Sequence, residues 1–86
     1  MAVYEIRFAT SAAKEFRSLS VELKRRIGVA IDGLSQNPRP PGVRKLAGHE
    51  SLYRIRVGQY RVVYEIDDGE RSIHITRVRH RREVYR

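Results

Sequence analysis

From residue 3 to residue 8 the chain alternates, with Tyr4, Ile6 and Phe8 on one side and Glu5 and Arg7 on the other. A period of two predicts a half-buried strand. Thr10 or Ser11 then offers an N-cap for a short helix whose apolar side carries Ala13, Phe16 and Leu19. Ser20 offers a second cap, and Glu22 falls in the first turn, where the helix dipole favours a carboxylate. Leu23, Ile27, Ala30, Ile31 and Leu34 recur at spacings of three and four, so this second helix is amphipathic and reaches about Ser35. Lys24, Arg25 and Arg26 lie on its other side. Asn37-Pro38-Arg39-Pro40-Pro41-Gly42 cannot continue a helix and marks the loop between the two halves.

The second half reads as strands. Leu52–Val57 alternates, Gly58-Gln59 suits a tight turn, and residues 60–66 alternate again. Asp67-Asp68-Gly69 supplies a further turn before a last strand over residues 71–78. Strands joined by such short connections form an antiparallel meander. The expected fold is α+β with the order β-α-α-β-β-β, a helical hairpin on one face of a curled antiparallel sheet. An Arg-rich tail, residues 80–86, follows. Residues 1–86 form one domain, because a chain this short buries only roughly 60–65% of its unfolded surface and supports a single modest core.

Composition adds a partner class. The chain has 86 residues, 41% of them hydrophobic and 33% charged, and no cysteine. The absence of cysteine fits a reducing cytoplasm. With no apolar run of roughly 18 residues and no apolar leader, membrane spanning and secretion are not expected. Eighteen basic residues against ten acidic ones give +8; three are lysines (Lys14, Lys24, Lys45), which leaves fifteen arginines. Arginine is a planar, permanently charged fork that grips phosphate bidentately and stacks on bases. A domain so basic attracts polyanions, nucleic acid first among them, although a solvated basic surface or a docking face for an acidic protein would carry the same charge.

The strand pattern concentrates that charge. Arg54 and Arg56 share a face, while Tyr53, Ile55 and Val57 point to the core. On the next strand Arg61, with Val63 and Glu65, opposes the apolar set Tyr60, Val62, Tyr64 and Ile66. A two-residue turn would bring Arg54, Arg56 and Arg61 onto one concave surface. In the last strand Ile73 and Ile75 set an alternation that Arg77 and Arg79 continue as the strand reaches the rim. Guanidinium groups gathered without carboxylates repel one another until an anion arrives. His49, His74 and His80 show no metal-ligand spacing, and neither a nucleophile elbow nor a glycine-rich phosphate loop is present. His74 reads as a packed strand histidine, and His80 sits inside the basic tail as a candidate for proton transfer. Tyr85 either packs the tail onto the sheet or offers its ring to a base.

Val3-Tyr4-Glu5-Ile6-Arg7-Phe8 ahead of a helical pair resembles the start of toxins of the RelE/ParE superfamily. The later segments Lys45-Leu46, Leu52-Tyr53-Arg54-Ile55-Arg56-Val57, Tyr60-Arg61-Val62-Val63-Tyr64 and His80-Arg81-Arg82-Glu83-Val84-Tyr85 are similar to the same family, in the same order and over nearly the entire chain. RelE-like members of the family cut mRNA in the ribosomal A site without a metal or cofactor, whereas ParE-like members inhibit DNA gyrase. The tail, which ParE-like proteins tend to lack, points to the nuclease branch.

The resemblance implies a 2′-hydroxyl attack on the adjacent phosphate. Arg61 would stabilise the charge on phosphate, Arg79 would stand at the general acid, and Tyr85 would orient a stacked base. Arg54 and Arg56 stand where the family has lysines, and a guanidinium, permanently protonated, is a poor base. Either His80 is the base, or rate comes from positioning and electrostatics. Arg54, Arg56, Arg77, Arg81, Arg82 and Lys45 would bind RNA. The resemblance also implies a RelB-like antitoxin as partner. Two other readings stay open: a gyrase-blocking toxin of the same fold, and a domain that binds RNA without cutting it.

Overall fold

In the computed structural model, which describes residues 3–46, 48 and 51–81, the expected elements appear with two additions. The order is β1 (Glu5–Phe8), α1 (Thr10–Arg17), α2 (Val21–Leu34), β2 (Arg44–Lys45), β3 (Leu52–Val57), β4 (Tyr60–Asp67) and β5 (Ser72–His80). The strands form one sheet in the order β1-β5-β4-β3-β2. The meander β3-β4-β5 is antiparallel, as the short turns require. The sheet as a whole is mixed: β1 runs parallel to β5, with Glu5 opposite Ser72 and Phe8 opposite Ile75. Alternation in residues 3–8 specifies which side is buried and carries no information about the neighbour or its direction. The second addition is β2, two residues long and lying on the far edge against β3.

The helices behave differently at their starts. The Ser20 hydroxyl accepts the Leu23 N–H at 3.2 Å, so the expected cap of α2 is in place. Neither Thr10 nor Ser11 caps α1. The cap position is Ala9, held in an extended conformation because its N–H donates to Ile75 O at 2.9 Å in the sheet. Strand pairing thus delivers the chain into the helix and replaces a side-chain cap. The same docking turns α1 slightly, so that Ala12 is fully buried and Ala13 only partly.

One core lies between the helices and the sheet. Ala12, Ile27, Ile31 and Leu34 pack on Ile55, Val62, Tyr64, Ile66, Ile73, Ile75 and Val78. The loop after α2 is pinned at its edge. Tyr64 donates from its hydroxyl to Pro38 O at 2.7 Å, and burial pushes its ionisation well up. Arg39 donates to Asp68 at 2.9 Å and lies over the Tyr53 ring, 5.1 Å from its centroid. Tyr4 donates to the same carboxylate at 2.6 Å. Bonds from Arg39 and then Tyr4 hold the Asp68 carboxyl below its usual range. Among the described residues, no helix is long and apolar enough to cross a membrane.

The core residues of β5 are Ile73, Ile75 and Val78. That change of phase comes from a bulge. Val63 pairs with Arg77 but Tyr64 pairs with Ile75, so Thr76 is an extra residue on β5. Its hydroxyl donates to Val63 O at 3.1 Å. Thr76→Val keeps the side-chain shape and removes this bond; we expect a loss of about 1 kcal/mol. Urea unfolding is the measurement, and the midpoint should fall with an unchanged slope.

Candidate phosphate-binding face

Residues directly opposite one another on adjacent strands share a face of the sheet, about 4.8 Å apart from strand to strand. On the side away from the helices the register builds two rows. One contains Arg44, Arg54, Val63 and Arg77, on β2, β3, β4 and β5. The next contains Arg56, Arg61 and Arg79, on β3, β4 and β5. Six arginines therefore project from one surface around the buried Val63. Arg77 and Arg79 do not follow Ile73 and Ile75, as unbroken alternation implied; the bulge at Thr76 turns both onto the arginine face.

Exposure differs sharply across these rows. Arg44 and Arg56 are exposed, and among the described residues no carboxylate forms an ion pair with either. With Arg54, Pro41 and Gly42 they line a cleft of about 310 Å³. Arg61 is 1% exposed, so this residue is buried rather than displayed on an open concave surface. Its Nη1 donates to Tyr60 O at 3.4 Å. Like charges placed directly opposite are unfavourable, and Arg56–Arg61–Arg79 is such a run.

Glu15 of α1 enters this surface from the side of β5. Its Oε1 accepts the Val78 N–H at 2.8 Å, and its Oε2 accepts from Arg79 Nε at 2.6 Å and Arg77 Nη1 at 3.4 Å. Burial alone would raise the Glu15 carboxyl; the Val78 N–H, then the bond and charge of Arg79 and the charge of Arg77, outweigh it and hold the group below its usual value.

Two expected site residues lie elsewhere. Lys45 pairs with Tyr53, which puts it on the helix side of the sheet. His80 pairs with Tyr60 and meets its ring edge-on, with centroids 5.4 Å apart, also on the helix side. Arg61 and Arg79 belong in register to the opposite face, yet at the end of β5 Arg79 and His80 line one cleft together with Glu15 and Tyr60. His74, expected to be packed, is exposed between Arg7 and Glu65 in register. Arg81 is exposed and donates its backbone N–H to Gln59 O at 2.8 Å. His49, Arg82 and Tyr85 lie outside the described residues.

Reading the sequence alone missed Arg44 and Glu15. A two-residue edge strand carries no alternation from which to place Arg44. Glu15 had a visible signal, because it stands at three- and four-residue spacing from Ala12 and Leu19, on the apolar side of the helix.

The chain matches the family model described as ParE toxin of type II toxin-antitoxin system, parDE, over residues 6–85. It is 36% identical to Toxin RelG of Mycobacterium tuberculosis over 87 aligned positions, covering 96% of this chain and 97% of that toxin. The archaeal RelE in the RelE–RelB complex from Pyrococcus horikoshii superposes with a TM-score of 0.81 at 31% identity, over 94% of this chain and 97% of its own. The isolated RelE toxin of Escherichia coli superposes with a TM-score of 0.81 at 28% identity, over 95% and 90% of the two chains.

Because the folded-state pKa of Glu15 lies below its ordinary value of 4.5, its contribution to stability is complete above that value. It is lost as pH falls through the folded-state pKa. The difference in melting temperature between wild type and Glu15→Gln should therefore be greatest near neutrality and shrink below about pH 4. Thermal unfolding across the acid range checks the sign.

Proposed function

The chain belongs to the RelE/ParE family of toxins of type II toxin-antitoxin systems, and on that premise we propose that it is a ribosome-dependent endoribonuclease that cuts mRNA in the A site. The observation that carries this reading is the pair of arginine rows, a surface of fixed positive forks spaced strand by strand. The relatives named RelE and RelG favour the same branch.

In this mechanism the ribose 2′-oxygen attacks the adjacent phosphorus and the 5′-oxygen of the next nucleotide departs. The products are a 2′,3′-cyclic phosphate and a 5′-hydroxyl. The 2′-proton passes to solvent and the departing oxygen takes one up. Arg61, 1% exposed in the free protein, stabilises the charge that grows on the phosphoryl oxygens once RNA binding opens the face above it. Arg79, directly opposite it, meets the departing oxygen where the resemblance puts the general acid. A guanidinium keeps its protons at physiological pH, so Arg79 works there mainly through charge and hydrogen bonding.

Arg54, Arg56 and Arg77 grip flanking phosphates, and Arg81 and Arg82 extend the contact along the tail. Tyr85 stacks on a base, an interaction worth about 1–3 kcal/mol in single-strand binders. His80, which lines a cleft with Arg79, stays the candidate base, and positioning, electrostatics and ribosomal groups are the alternative source of rate. A RelB-like antitoxin is the natural partner, since the relative from P. horikoshii is seen in a RelE–RelB complex. An acidic antitoxin segment laid over the arginine rows would silence them. The toxin, its antitoxin and its ribosomal target would then share the cytoplasm.

The family model bears the ParE name, and gyrase inhibition is the second reading. A translation reaction with purified ribosomes and a defined mRNA separates the two, with ends mapped by primer extension. We expect cuts within A-site codons whose rate falls by about 10²–10³-fold, to a measurable residual level, in Arg61→Ala and Arg79→Ala. Intact mRNA with wild-type protein would overturn the nuclease, and a supercoiling assay would then test gyrase.

Arg44 belongs to the same surface without facing the scissile group. Arg44→Ala should leave the cut sites unchanged, weaken binding of single-stranded RNA, and reduce the slope of log affinity against log salt by about 0.7. Fluorescence anisotropy over a salt series measures that slope.

A further inference from the structure

Glu15 is a charged residue on the apolar side of a helix, with a side chain only 20% exposed. A carboxylate in that position is costly unless its oxygens are engaged. Both are. The reason lies in the edge of β5. β1 ends at Phe8, opposite Ile75, so it covers only the first part of β5. Beyond Ile75 the strand needs another acceptor on that side, and an uncovered strand edge is a template for unwanted pairing. Glu15 Oε1 takes the Val78 N–H at 2.8 Å. The other oxygen takes Arg79 Nε at 2.6 Å and lies 3.4 Å from Arg77 Nη1.

One carboxylate thereby ties the backbone at residue 78 to the side chain at residue 79. The choice of Nε matters. It is the atom through which the guanidinium joins its stem, so a bond there fixes the plane in which the two Nη groups lie. Arg79 is 35% exposed at its side chain, and the rotamer freedom of so accessible an arginine must be frozen out before it can meet a reacting oxygen. The same bonds disqualify Glu15 as a base. Its oxygens already accept from a backbone amide and a guanidinium, and its carboxyl is held below the usual range by them.

We infer that Glu15 is a positioning residue for the proposed RNA cleavage, fixing Arg79 against β5 so that its guanidinium meets the departing oxygen beside Arg61. The inference rests on the nuclease reading above. It assigns a catalytic effect to a residue on α1, an element that contributes no arginine to the rows.

The test is a double-mutant cycle in the ribosome-dependent cleavage reaction, with wild type, Glu15→Ala, Arg79→Ala and the double variant. Folding of each is verified by circular dichroism. Glu15→Ala should lower kcat by about 10–100-fold and change KM by less than about 2-fold, the signature of lost alignment rather than lost binding. In the Arg79→Ala background the same substitution should cost nothing more, because the residue it positions is gone.

Equal losses in both backgrounds would overturn the inference and leave Glu15 a structural cap of β5. Full activity in Glu15→Ala would overturn it also, with the nuclease reading intact. Should Glu15→Ala not fold, Glu15→Gln carries the same cycle: its amide oxygen preserves one acceptor, and a partial loss confined to the Arg79 background is expected. Wild-type protein that cuts no mRNA would remove the nuclease reading and this inference with it.

Discussion

In β5 the side chains of Ile73 and Ile75 enter the core, and strict alternation would send Arg77 and Arg79 in after them. Two guanidinium groups cannot be buried there without acceptors. The extra residue at Thr76 shifts the strand by one position, after which Val78 fills the core and both arginines face outward. The β5 side of the arginine face follows from that shift. It brings Arg79 opposite Arg61 and Arg77 opposite Val63, completing rows that begin on β2 and β3. The bulge serves the core and the site together: the core gains a valine where it would have had an arginine, and the outer surface gains two cations.

The bulge has a consequence at the edge of the sheet. β1 covers β5 only as far as Ile75, one residue before the extra one. From there α1 takes over from β1, and Glu15 accepts the backbone bond at Val78. The parallel β1–β5 pairing, the uncapped start of α1 and the placement of Glu15 are parts of one arrangement. Ala9 leaves the sheet by donating to Ile75, opens the helix, and Glu15 comes round on the second turn to meet Val78. A short N-terminal strand and a single helix thus brace the strand that carries Arg77 and Arg79.

This division explains what could be read from the residues. The turns at Gly58-Gln59 and Asp67-Asp68-Gly69, the cap at Ser20 and the periodicity of α2 are local, and each lies where the pattern put it. The face shared by Arg54, Arg56 and Arg61 is also local, since a two-residue turn fixes the register. The parallel neighbour of β1, the bulge, and the side of the sheet taken by His80 and Lys45 depend on contacts between distant segments. A bulge leaves no mark on composition. Here its trace was a conflict, two arginines in phase with two isoleucines, and such a conflict between local pattern and global fold signals either an irregularity or a site. In this chain it signals both.

Six like charges on one face of an 86-residue chain oppose the packing that holds the sheet together. A core this small has little stability to spare. Glu15 offsets part of the repulsion at β5, and Arg44 and Arg56, at the other side of the face, have no such ion pair among the described residues. The repulsion that remains is relieved when a polyanion binds, so binding and folding are linked, and whatever anion occupies the rows stabilises the fold by mass action. On the proposed function, RNA and an acidic protein segment would compete for the same relief. A surface built this way is suited to being held inactive by one polyanion and to acting on another, because the guanidinium forks that receive phosphate also receive carboxylates.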